Sequence, residues 1–500
     1  MPGSPYVTGK TSIMLREDSD LASGQKPETE KRDRAKDHSL SLSDFSASSR
    51  SPSALRADPE LPFLEMAWSP SQMQEFFNRS VLPGVWPGQQ ATAVAIKDMT
   101  YRASKQCEIL YALQLDDPTQ GQPRWVVVTF ARESRFQEIC THHYDGDTPA
   151  RLTPSSVVFL PEYRCLVEFF PRDWQLPFLA RAMEPQEVAS LLSQGGPEAE
   201  RSLRLPQVEV LRYRFHRRCV LRYTVKAPDG GAPTEVIAKV DRSKSLAVQV
   251  ARTQNLLQPQ ATACGLIIPK PLGVVQQWGL LLMKRVPGTA IKPVLKNATA
   301  PEQFKEVIEQ AAAVLARLHR LRFESPQVQS LQMLLQELHK RAALLPLVAP
   351  LLAQEADALL QQITRLGAHA TTVAPSFLHG DFSLGQLLME NGQIAVIDFD
   401  SACLGDPAFD VGNFMAKLHR IAVGRADDVF RQLAMHFLAE YQTHLPEHRV
   451  ADRVHLFMSA TLIEKALREF ERWPDKYGQA GPDSLPALLL QEAAACLSRH

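Results

Sequence analysis

The chain has 500 residues, which is more than one typical domain of about 100–200 residues and predicts about three domains. Its 55 Lys and Arg residues balance 55 Asp and Glu residues, and this zero formal charge argues against nucleic acid or a membrane surface as a partner. Because 45% of the residues are hydrophobic and 22% charged, global disorder is excluded and a folded globular protein is expected.

The cysteine pattern and the first residues bear on location. Seven cysteines lie far apart without a Cys-x-x-Cys pair, so neither a disulfide framework nor a zinc cluster is indicated. The chain begins without a secretory signal pattern, and it lacks the run of about 20 apolar residues that a membrane span needs. We therefore expect a cytoplasmic protein, and the sequence carries no information on its oligomeric state.

The first segment differs in composition from the rest. Residues 1–60 are rich in Ser and charged residues and nearly free of aromatic residues, which predicts a disordered tail. From Leu61 onward the hydrophobic density rises, and 108–113 and 125–130 have the β-branched and aromatic character of strands. We expect the first folded domain, a β-rich one, over 61–190.

Two stretches resemble each other. Residues 101–111 and 213–223 share Tyr, Arg, a second basic residue, Cys and Tyr at one offset, and a β-rich run follows each. A diverged duplication accounts for this pattern, and the alternative is coincidence between two basic strands. In the duplication hypothesis the 61–190 domain is a degenerate repeat of the following β-rich unit, with Thr129 near the position of Lys239.

The second half has the spacing of amphipathic helices, and an α+β fold is therefore predicted. Apolar residues recur every three or four positions from Phe304 to Leu318, a pattern that predicts a helix. Further helices are predicted over 245–258, 331–345, 356–366, 429–441, 453–472 and 485–496, and one strand-like passage interrupts them at 377–400.

The strand-like passage contains the residues with the clearest chemistry. Asp381 lies on a predicted loop, Gln386 follows five residues later, and Asp398 ends an apolar strand. Mg²⁺ prefers hard oxygen ligands, and a separate carboxylate can accept the proton of an attacking hydroxyl, so this set suits a site for a magnesium nucleotide. The alternative is a structural turn in which the Asp residues merely occupy turn positions.

Three ordered motifs, at 379–386, 397–400 and 405–410, resemble the aminoglycoside phosphotransferase and choline kinase family. The resemblance covers about 205–475 and implies a bilobal protein-kinase-like fold, with a β-rich small lobe and a mainly helical large lobe. It further implies that 191–288 is the nucleotide-binding small lobe and that 289–500 is the large lobe with the catalytic loop and acceptor site. The β-rich N-terminal domain precedes both lobes.

The resemblance assigns roles within the large lobe. It implies that Asp381 orients or deprotonates the substrate hydroxyl and that Asp398 and Gln386 bind the metal, with Gln386 where the family usually has Asn. We interpret His379 as an orienting residue rather than a base. Asp406 and Asp410 are expected to brace the catalytic loop or to cap the following helix.

In the small lobe, Lys239 resembles the strand lysine that binds the α and β phosphates; the alternative is a solvated lysine. No glycine-rich loop precedes Lys239 in the sequence, so Arg217 and Arg218 are the candidates for phosphate contact. The alternatives for these arginines are a solvated basic strand or pairing with acidic residues of the N-terminal domain. The predicted helix over 245–258 offers Lys239 only glutamines as partners in place of the usual Glu.

The strand over 280–286 resembles the hinge on which adenine rests, and the backbone of Met283 and Arg285 is expected to bind the base. Together these residues predict an ATP-dependent small-molecule kinase that uses Mg²⁺ and phosphorylates a hydroxyl. The alternative is a catalytically inactive pseudokinase that serves as a binding module. Phosphorylation of proteins is not supported, because the sequence after Asp398 lacks the activation-segment motifs of protein kinases. Residues 413–478 form no strongly acidic wall, which argues against a polycationic aminoglycoside as acceptor.

Overall fold

The computed structural model describes most of the chain from Asp58 onward. The predicted tail, apart from 58–60, lies outside the described residues. None of the described helices has the length and apolar character that a membrane span requires. The described ranges are 58–116, 123–144, 157–193, 205–226, 231–298, 300–324, 328–346, 349–371, 373–473 and 481–498.

The first unit is an antiparallel sheet preceded by short helices. Its strands lie in the order β1-β2-β3-β5-β4, and helix α4 connects β3 to β4. The strands are β1 (Ala91–Arg102), β2 (Gln106–Leu115), β3 (Arg124–Ala131), β4 (Val157–Leu160) and β5 (Cys165–Phe169). The helices are α1 (Leu64–Trp68), α2 (Pro70–Phe76), a π-helical turn (Phe77–Val81), α3 (Leu82–Val85) and α4 (Glu133–Tyr144).

The second unit repeats this plan. Its strands lie in the order β6-β7-β8-β10-β9, and a helix again connects the third strand to the fourth. The strands are β6 (Gln207–Arg214), β7 (Arg218–Val225), β8 (Thr234–Asp241), β9 (Pro271–Val275) and β10 (Leu280–Lys284). The helices are α5 (Leu179–Ala182), α6 (Pro185–Ser193) and α7 (Lys244–Ala263).

Equivalent residues of the two sheets occupy equivalent places. Thr129 pairs with Glu108 in the first sheet, just as Lys239 pairs with Val220 in the second. Tyr111 donates to the carbonyl oxygen of Ala67 at 2.5 Å, and its counterpart Tyr223 donates to that of Ala182 at 2.7 Å. We propose a duplication on these grounds.

The packing bears on where the second unit begins. The apolar residues of α5 and α6, together with Leu176, form one buried cluster with β7, β8 and β10. The predicted boundary after residue 190 would assign α5 and most of α6 to the first unit, whereas their apolar faces pack on the second sheet. We propose that the second unit begins near Asp173, the counterpart of Asp58.

The remaining residues form a mainly helical lobe, and the predicted α+β class is confirmed. Two small three-stranded sheets carry the strand-like passage and lie among the helices. The helices are α8 (Ile291–Lys296), α9 (Lys305–His319), α10 (Leu331–Ala342), α11 (Pro350–Gly367), α12 (Ala408–Arg425), α13 (Val429–His444), α14 (Val454–Arg472) and α15 (Leu485–Ser498). The strands are β11 (Thr289–Ala290), β12 (Val328–Gln329), β13 (Ser376–Leu378), β14 (Leu387–Glu390), β15 (Gln393–Val396) and β16 (Cys403–Gly405).

The first sheet and the helical lobe share one hydrophobic core, which includes Tyr111 of β2 and Leu462 of α14. At the edge of this contact, Arg472 donates to Asp98 of β1 at 2.7 Å. The first sheet therefore packs on the large lobe as well as on the second sheet.

Candidate active site

The loop after β13 adopts a conformation that requires glycine. Gly380 has a φ of +78°, and a Cβ added there would lie 2.1 Å from the carbonyl oxygen of Ser401. An L-residue would be strained by the dihedral angle and would collide with this backbone atom. Gly380 thus allows the loop to pass directly against 399–401, the short 3₁₀ turn that follows Asp398.

Asp410, in the first turn of α12, braces the same loop. Its carboxylate accepts the backbone N–H of His379 at 2.7 Å and that of Gly380 at 3.0 Å. The side chain is fully buried, and the imidazole of His319 lies 3.3 Å from it. The expected bracing role of Asp410 is confirmed, and Asp406 accepts the N–H of Ala408 at the start of α12, as expected of a helix cap.

His379 orients the loop. Its Nδ1 accepts the backbone N–H of Asp381 at 3.3 Å, and its Nε2 lies 3.0 Å from the carbonyl oxygen of Ile397, to which it donates. One nitrogen accepts and the other donates, which is the pattern of a neutral imidazole. Since both nitrogens are engaged with backbone groups, the interpretation of His379 as an orienting residue is confirmed.

Asp381 projects from this loop, and its carboxylate is held from two sides. Lys417 of α12 donates to Oδ1 at 2.5 Å, and the amide of Gln386 donates to Oδ2 at 3.1 Å. Burial alone would raise the pKa of Asp381, but the charge and hydrogen bond of Lys417 lower it below its usual value. With 44% of its side chain exposed, Asp381 is an ionised carboxylate that a second molecule can reach.

Asp398 and Asp400 share the ammonium group of Lys239. Lys239 Nζ lies 2.6 Å from Asp398 Oδ1 and 2.7 Å from Asp400 Oδ1, and the lysine side chain is 10% exposed. Burial opposes ionisation, yet the neighbouring charge of Lys239 keeps the pKa of Asp398 well below its usual value. Burial and the adjacent Asp398 charge raise the pKa of Asp400.

The two candidate arginines differ in their surroundings. Arg218 Nε donates to Asp241 at 2.8 Å, and its guanidinium also forms an ion pair with Asp400. Arg217 is exposed at the turn between β6 and β7. The structure thus brings Arg218, but not Arg217, into contact with the group formed by Lys239, Asp398 and Asp400.

The adenine prediction meets a constraint in the backbone. The N–H of Lys284 donates to the backbone carbonyl oxygen of Lys270 at 2.9 Å. The N–H of Arg285 donates to the backbone carbonyl oxygen of Glu235 at 3.3 Å. Met283 lies on β10, and its side chain is buried beside Gln254. Adenine binding at Met283 and Arg285 therefore stays a prediction, and the N–H of Arg285 would have to leave Glu235 to take part.

Two contact residues had no role in the sequence prediction. Asp400 supplies the acidic partner of Lys239 that the predicted helix over 245–258 lacks, and Lys417 holds Asp381. Asp400 could have been found, since it stands two residues after Asp398 in the same motif. Lys417 gave no signal, because it is one lysine on a helix buried on most sides and lies 36 residues from Asp381.

The oxygen atoms of Asp398 and Gln386 suit a hard cation. Asp398 offers an ionised carboxylate, and Gln386 keeps its amide oxygen available while its nitrogen donates to Asp381. Carboxylate and amide oxygens are the ligands that Mg²⁺ takes in proteins. The residues present therefore fit a magnesium ion.

These candidate site residues lie within a region that matches a known family. Residues 220–452 match the phosphotransferase enzyme family. The resemblance predicted from the three motifs is thereby confirmed over this matched region. The match begins within β7 and ends shortly before α14, so it includes Lys239, Asp381 and Asp398 but not the first sheet.

Solved structures of small-molecule kinases resemble part of this chain. A choline/ethanolamine kinase family protein from Mesorhizobium loti is 13% identical, with a TM-score of 0.42 over 63% of this chain and 95% of its own. Choline kinase from Cryptosporidium parvum is 11% identical, with a TM-score of 0.43 over 63% and 94% of the two chains. The macrolide 2′-phosphotransferase MphH from Brachybacterium faecium is 17% identical, with a TM-score of 0.39 over 63% and 98%. None of the curated proteins matches the chain.

Proposed function

We propose that this protein is an ATP-dependent small-molecule kinase that transfers the γ-phosphoryl group of Mg-ATP to a substrate hydroxyl. One observation carries the proposal. Backbone groups of Ile397 join the loop of Asp381 to the segment of Asp398, because its carbonyl oxygen accepts from Nε2 of His379 and its N–H donates to the carbonyl oxygen of Gln386. A candidate base and a candidate metal ligand are therefore held side by side, as phosphoryl transfer requires.

Lys239 and Arg218 are the proposed phosphate-binding cations. Both already contact Asp400, so their charged groups lie where the second sheet meets the segment of Asp398 and Asp400. An ammonium and a guanidinium in this position can bind phosphate oxygens by charge-assisted hydrogen bonds. Arg217 and the backbone of Met283 and Arg285 are proposed as further nucleotide contacts, on the strength of the family resemblance.

Asp398 and Gln386 are the residues that would hold Mg²⁺. When bound, Mg²⁺ neutralises charge on the transferring phosphoryl group. The low pKa of Asp398 supports this role, because its carboxylate stays ionised at neutral pH and is available as a ligand.

Asp381 is the proposed base. Lys417 and Gln386 fix its carboxylate by hydrogen bonds. The lowered pKa keeps Asp381 ionised, and only the ionised carboxylate can accept the proton of the acceptor hydroxyl. The acceptor oxygen forms a bond to the γ-phosphorus as the bond between that phosphorus and the bridging oxygen breaks. ADP then leaves with the bridging oxygen, and the proton resides on Asp381.

The charges beside Asp381 bear on the acceptor. Lys417 contacts its carboxylate, and the more distant charge of Lys465 on α14 also lowers its pKa. Two lysine ammonium groups near the base would repel a polycation and tolerate a neutral or anionic molecule. We therefore propose a neutral or anionic hydroxyl compound as acceptor.

Calorimetric titration of the full chain with ATP, with and without Mg²⁺, tests the proposal. We expect binding that requires the metal and is lost in Asp398→Asn. Asp381→Asn is the matched variant, since it should retain nucleotide binding and lose transfer. A thermal shift gives a second readout, because ligand at a hundredfold its dissociation constant stabilises the folded state by about 2.7 kcal/mol.

The outcomes separate the two candidate functions. Metal-dependent binding justifies a screen of hydroxyl acceptors that compares neutral, anionic and polycationic members by ADP release. Absence of binding at millimolar nucleotide would overturn the kinase proposal and favour a pseudokinase. Binding without transfer to any acceptor, in a protein for which Asp381→Asn has no effect, would also favour the pseudokinase.

A further inference from the structure

The turn between β6 and β7 carries a buried histidine in place of a flexible glycine. His216 has a φ of +55°, in the left-handed region that few residues other than glycine adopt readily. Its side chain is 4% exposed. Of the proposed phosphate contacts, Arg217 lies in this turn and Arg218 directly follows it, so the conformation of the turn positions both side chains.

The first sheet holds His216 through two carboxylates. Nδ1 lies 2.8 Å from Glu108 of β2, and Nε2 lies 2.6 Å from Glu168 of β5. Because both ring nitrogens face carboxylate oxygens, both donate and the ring is an imidazolium. Burial alone would lower the pKa of His216, but the charges of Glu168 and Asp173 raise it well above its usual value.

Apolar and aromatic contacts cover the rest of the turn. Phe215 packs with Leu110 and Val127 of the first sheet. Tyr213 stacks on Trp125, with ring centroids 6.1 Å apart and an interplanar angle of 6°. The turn therefore rests on the first sheet, whereas in an isolated small lobe it would face solvent.

The equivalent turn of the first sheet shows what His216 adds. Ser104 also has a φ of +55°, and its N–H donates to Asp58 at 2.7 Å, as that of His216 donates to Asp173 at 2.7 Å. In both turns a tyrosine also donates to the same Asp: Tyr101 to Asp58 at 2.8 Å and Tyr213 to Asp173 at 2.9 Å. The Asp–Tyr arrangement thus belongs to the turn itself, and the imidazolium bridge between units occurs only in the second copy.

We propose that the first sheet positions the β6–β7 turn for nucleotide phosphates through His216. This inference rests on the proposed function and makes the first sheet part of the nucleotide site, although no residue of that sheet contacts Lys239 or Asp398 in the hydrogen bonds and ion pairs of the described chain. His216 is a positioning residue. It acts through Arg218, which starts at the end of the turn and reaches Asp400.

The test measures Mg-ATP affinity and transfer in His216→Gln and Asp173→Asn. Both variants loosen the turn without touching Lys239, Asp381 or Asp398. We expect the dissociation constant of Mg-ATP and the KM for ATP to rise about tenfold or more, with kcat at saturating ATP changed much less. Thermal unfolding is followed alongside, so that affinity is compared at a temperature where each variant is fully folded.

Asp58→Asn is the matched control, because it removes the equivalent carboxylate charge from the turn between β1 and β2 of the first unit. It should lower thermal stability and leave the affinity for Mg-ATP unchanged. If His216→Gln fails to fold, Glu108→Gln replaces it, since this change keeps the side-chain shape and one hydrogen-bond acceptor for Nδ1 while removing a charge.

Two results would overturn the inference. Folded His216→Gln and Asp173→Asn proteins with wild-type affinity for Mg-ATP would limit the cluster to a structural role. An equal loss of affinity in Asp58→Asn would show that any destabilisation of either sheet has the same effect. Failure of the proposed function looks different, because the unaltered protein would then bind no nucleotide at all.

Discussion

Lys417 of α12 donates to Asp381 in the loop after β13 at 2.5 Å, and this contact lowers the pKa of the proposed base. The lysine side chain is 21% exposed, so water screens the pair less than it would at the surface. Lys417 therefore has two effects in one position. It keeps Asp381 ionised, and it places a cation where the acceptor must approach.

Replacing Lys417 by Met should shift the pH dependence of phosphoryl transfer. Without the ammonium group the pKa of Asp381 rises, because burial then acts unopposed by this charge. The base must be ionised to accept a proton, so the acidic fall in kcat/KM should move to higher pH. The measurement is the pH–rate profile of ADP release with an acceptor identified by the screen.

Lys417→Arg is the control for this prediction, since it preserves the positive charge. Its kcat/KM should fall at nearly the same acidic pH as that of the unaltered protein, and its rate should be lower because the geometry at Asp381 is changed. An unshifted acidic limb in Lys417→Met would show that Lys417 does not control the ionisation of Asp381.

The contrast between Lys417 and Asp381 shows where sequence reasoning succeeded and where it could not. Asp381, Gln386 and Asp398 lie within 18 residues of chain, and their order and spacing carry local information about a loop and a strand. Lys417 lies on α12, most of whose residues are buried, and a single lysine on such a helix carries no local signal of its partner. Its contact with Asp381 depends on tertiary packing alone.

Removing the charge of Lys239 should weaken both nucleotide binding and the fold. In Lys239→Met the carboxylates of Asp398 and Asp400 lose the ammonium group they share, and Arg218 compensates only in part. We expect destabilisation of up to about 3 kcal/mol and loss of Mg-ATP binding. Urea unfolding and calorimetric titration give the two quantities, and Lys239→Arg should retain more of both.

The same variant predicts a change in acid stability. A carboxyl group whose folded-state pKa is depressed stabilises the fold above its unfolded pKa of about 3.9, and this contribution is lost as the pH falls. Asp398 is such a group, and Lys239 is the main charge responsible. Between about pH 2 and 5, the free energy of unfolding of Lys239→Met should therefore rise less steeply than that of the unaltered protein. Parallel curves would contradict the assignment.

Asp410→Asn should separate loop positioning from nucleotide binding. The amide can accept one of the two backbone N–H groups that Asp410 now accepts, from His379 and Gly380, and it carries no charge to face His319. We expect a loss of about 2–4 kcal/mol in stability and a lower kcat. The affinity for Mg-ATP should remain, because Lys239 and Asp398 do not contact Asp410. An unchanged kcat would show that the loop keeps its position without this brace.

The two sheets illustrate a second limit of sequence reasoning. The shared Tyr, Arg and Cys positions predicted a duplicated β unit, and the two sheets have the same strand order. The contact of His216 with Glu108, 108 residues away, was not predicted. Pairing of the basic strand with acids of the first domain was kept open as an alternative, but it was expected for arginines. The histidine makes this contact because the left-handed turn directs it into the first sheet.

Gly380 and Gly392 form a matched pair that separates backbone strain from steric collision. Both have a φ close to +78°, and a Cβ at Gly392 would meet nothing within 4 Å, whereas one at Gly380 would lie 2.1 Å from Ser401. Gly392→Ala should lower the free energy of unfolding by about 1 kcal/mol, because alanine is strained in the left-handed backbone conformation. Gly380→Ala should cost at least about 2 kcal/mol more, since the loop must move away from the 3₁₀ turn after Asp398. Urea unfolding of both variants measures the difference. Equal losses would mean that the loop can yield to a methyl group at little cost, and Asp381 would then be held chiefly by Lys417 and Gln386.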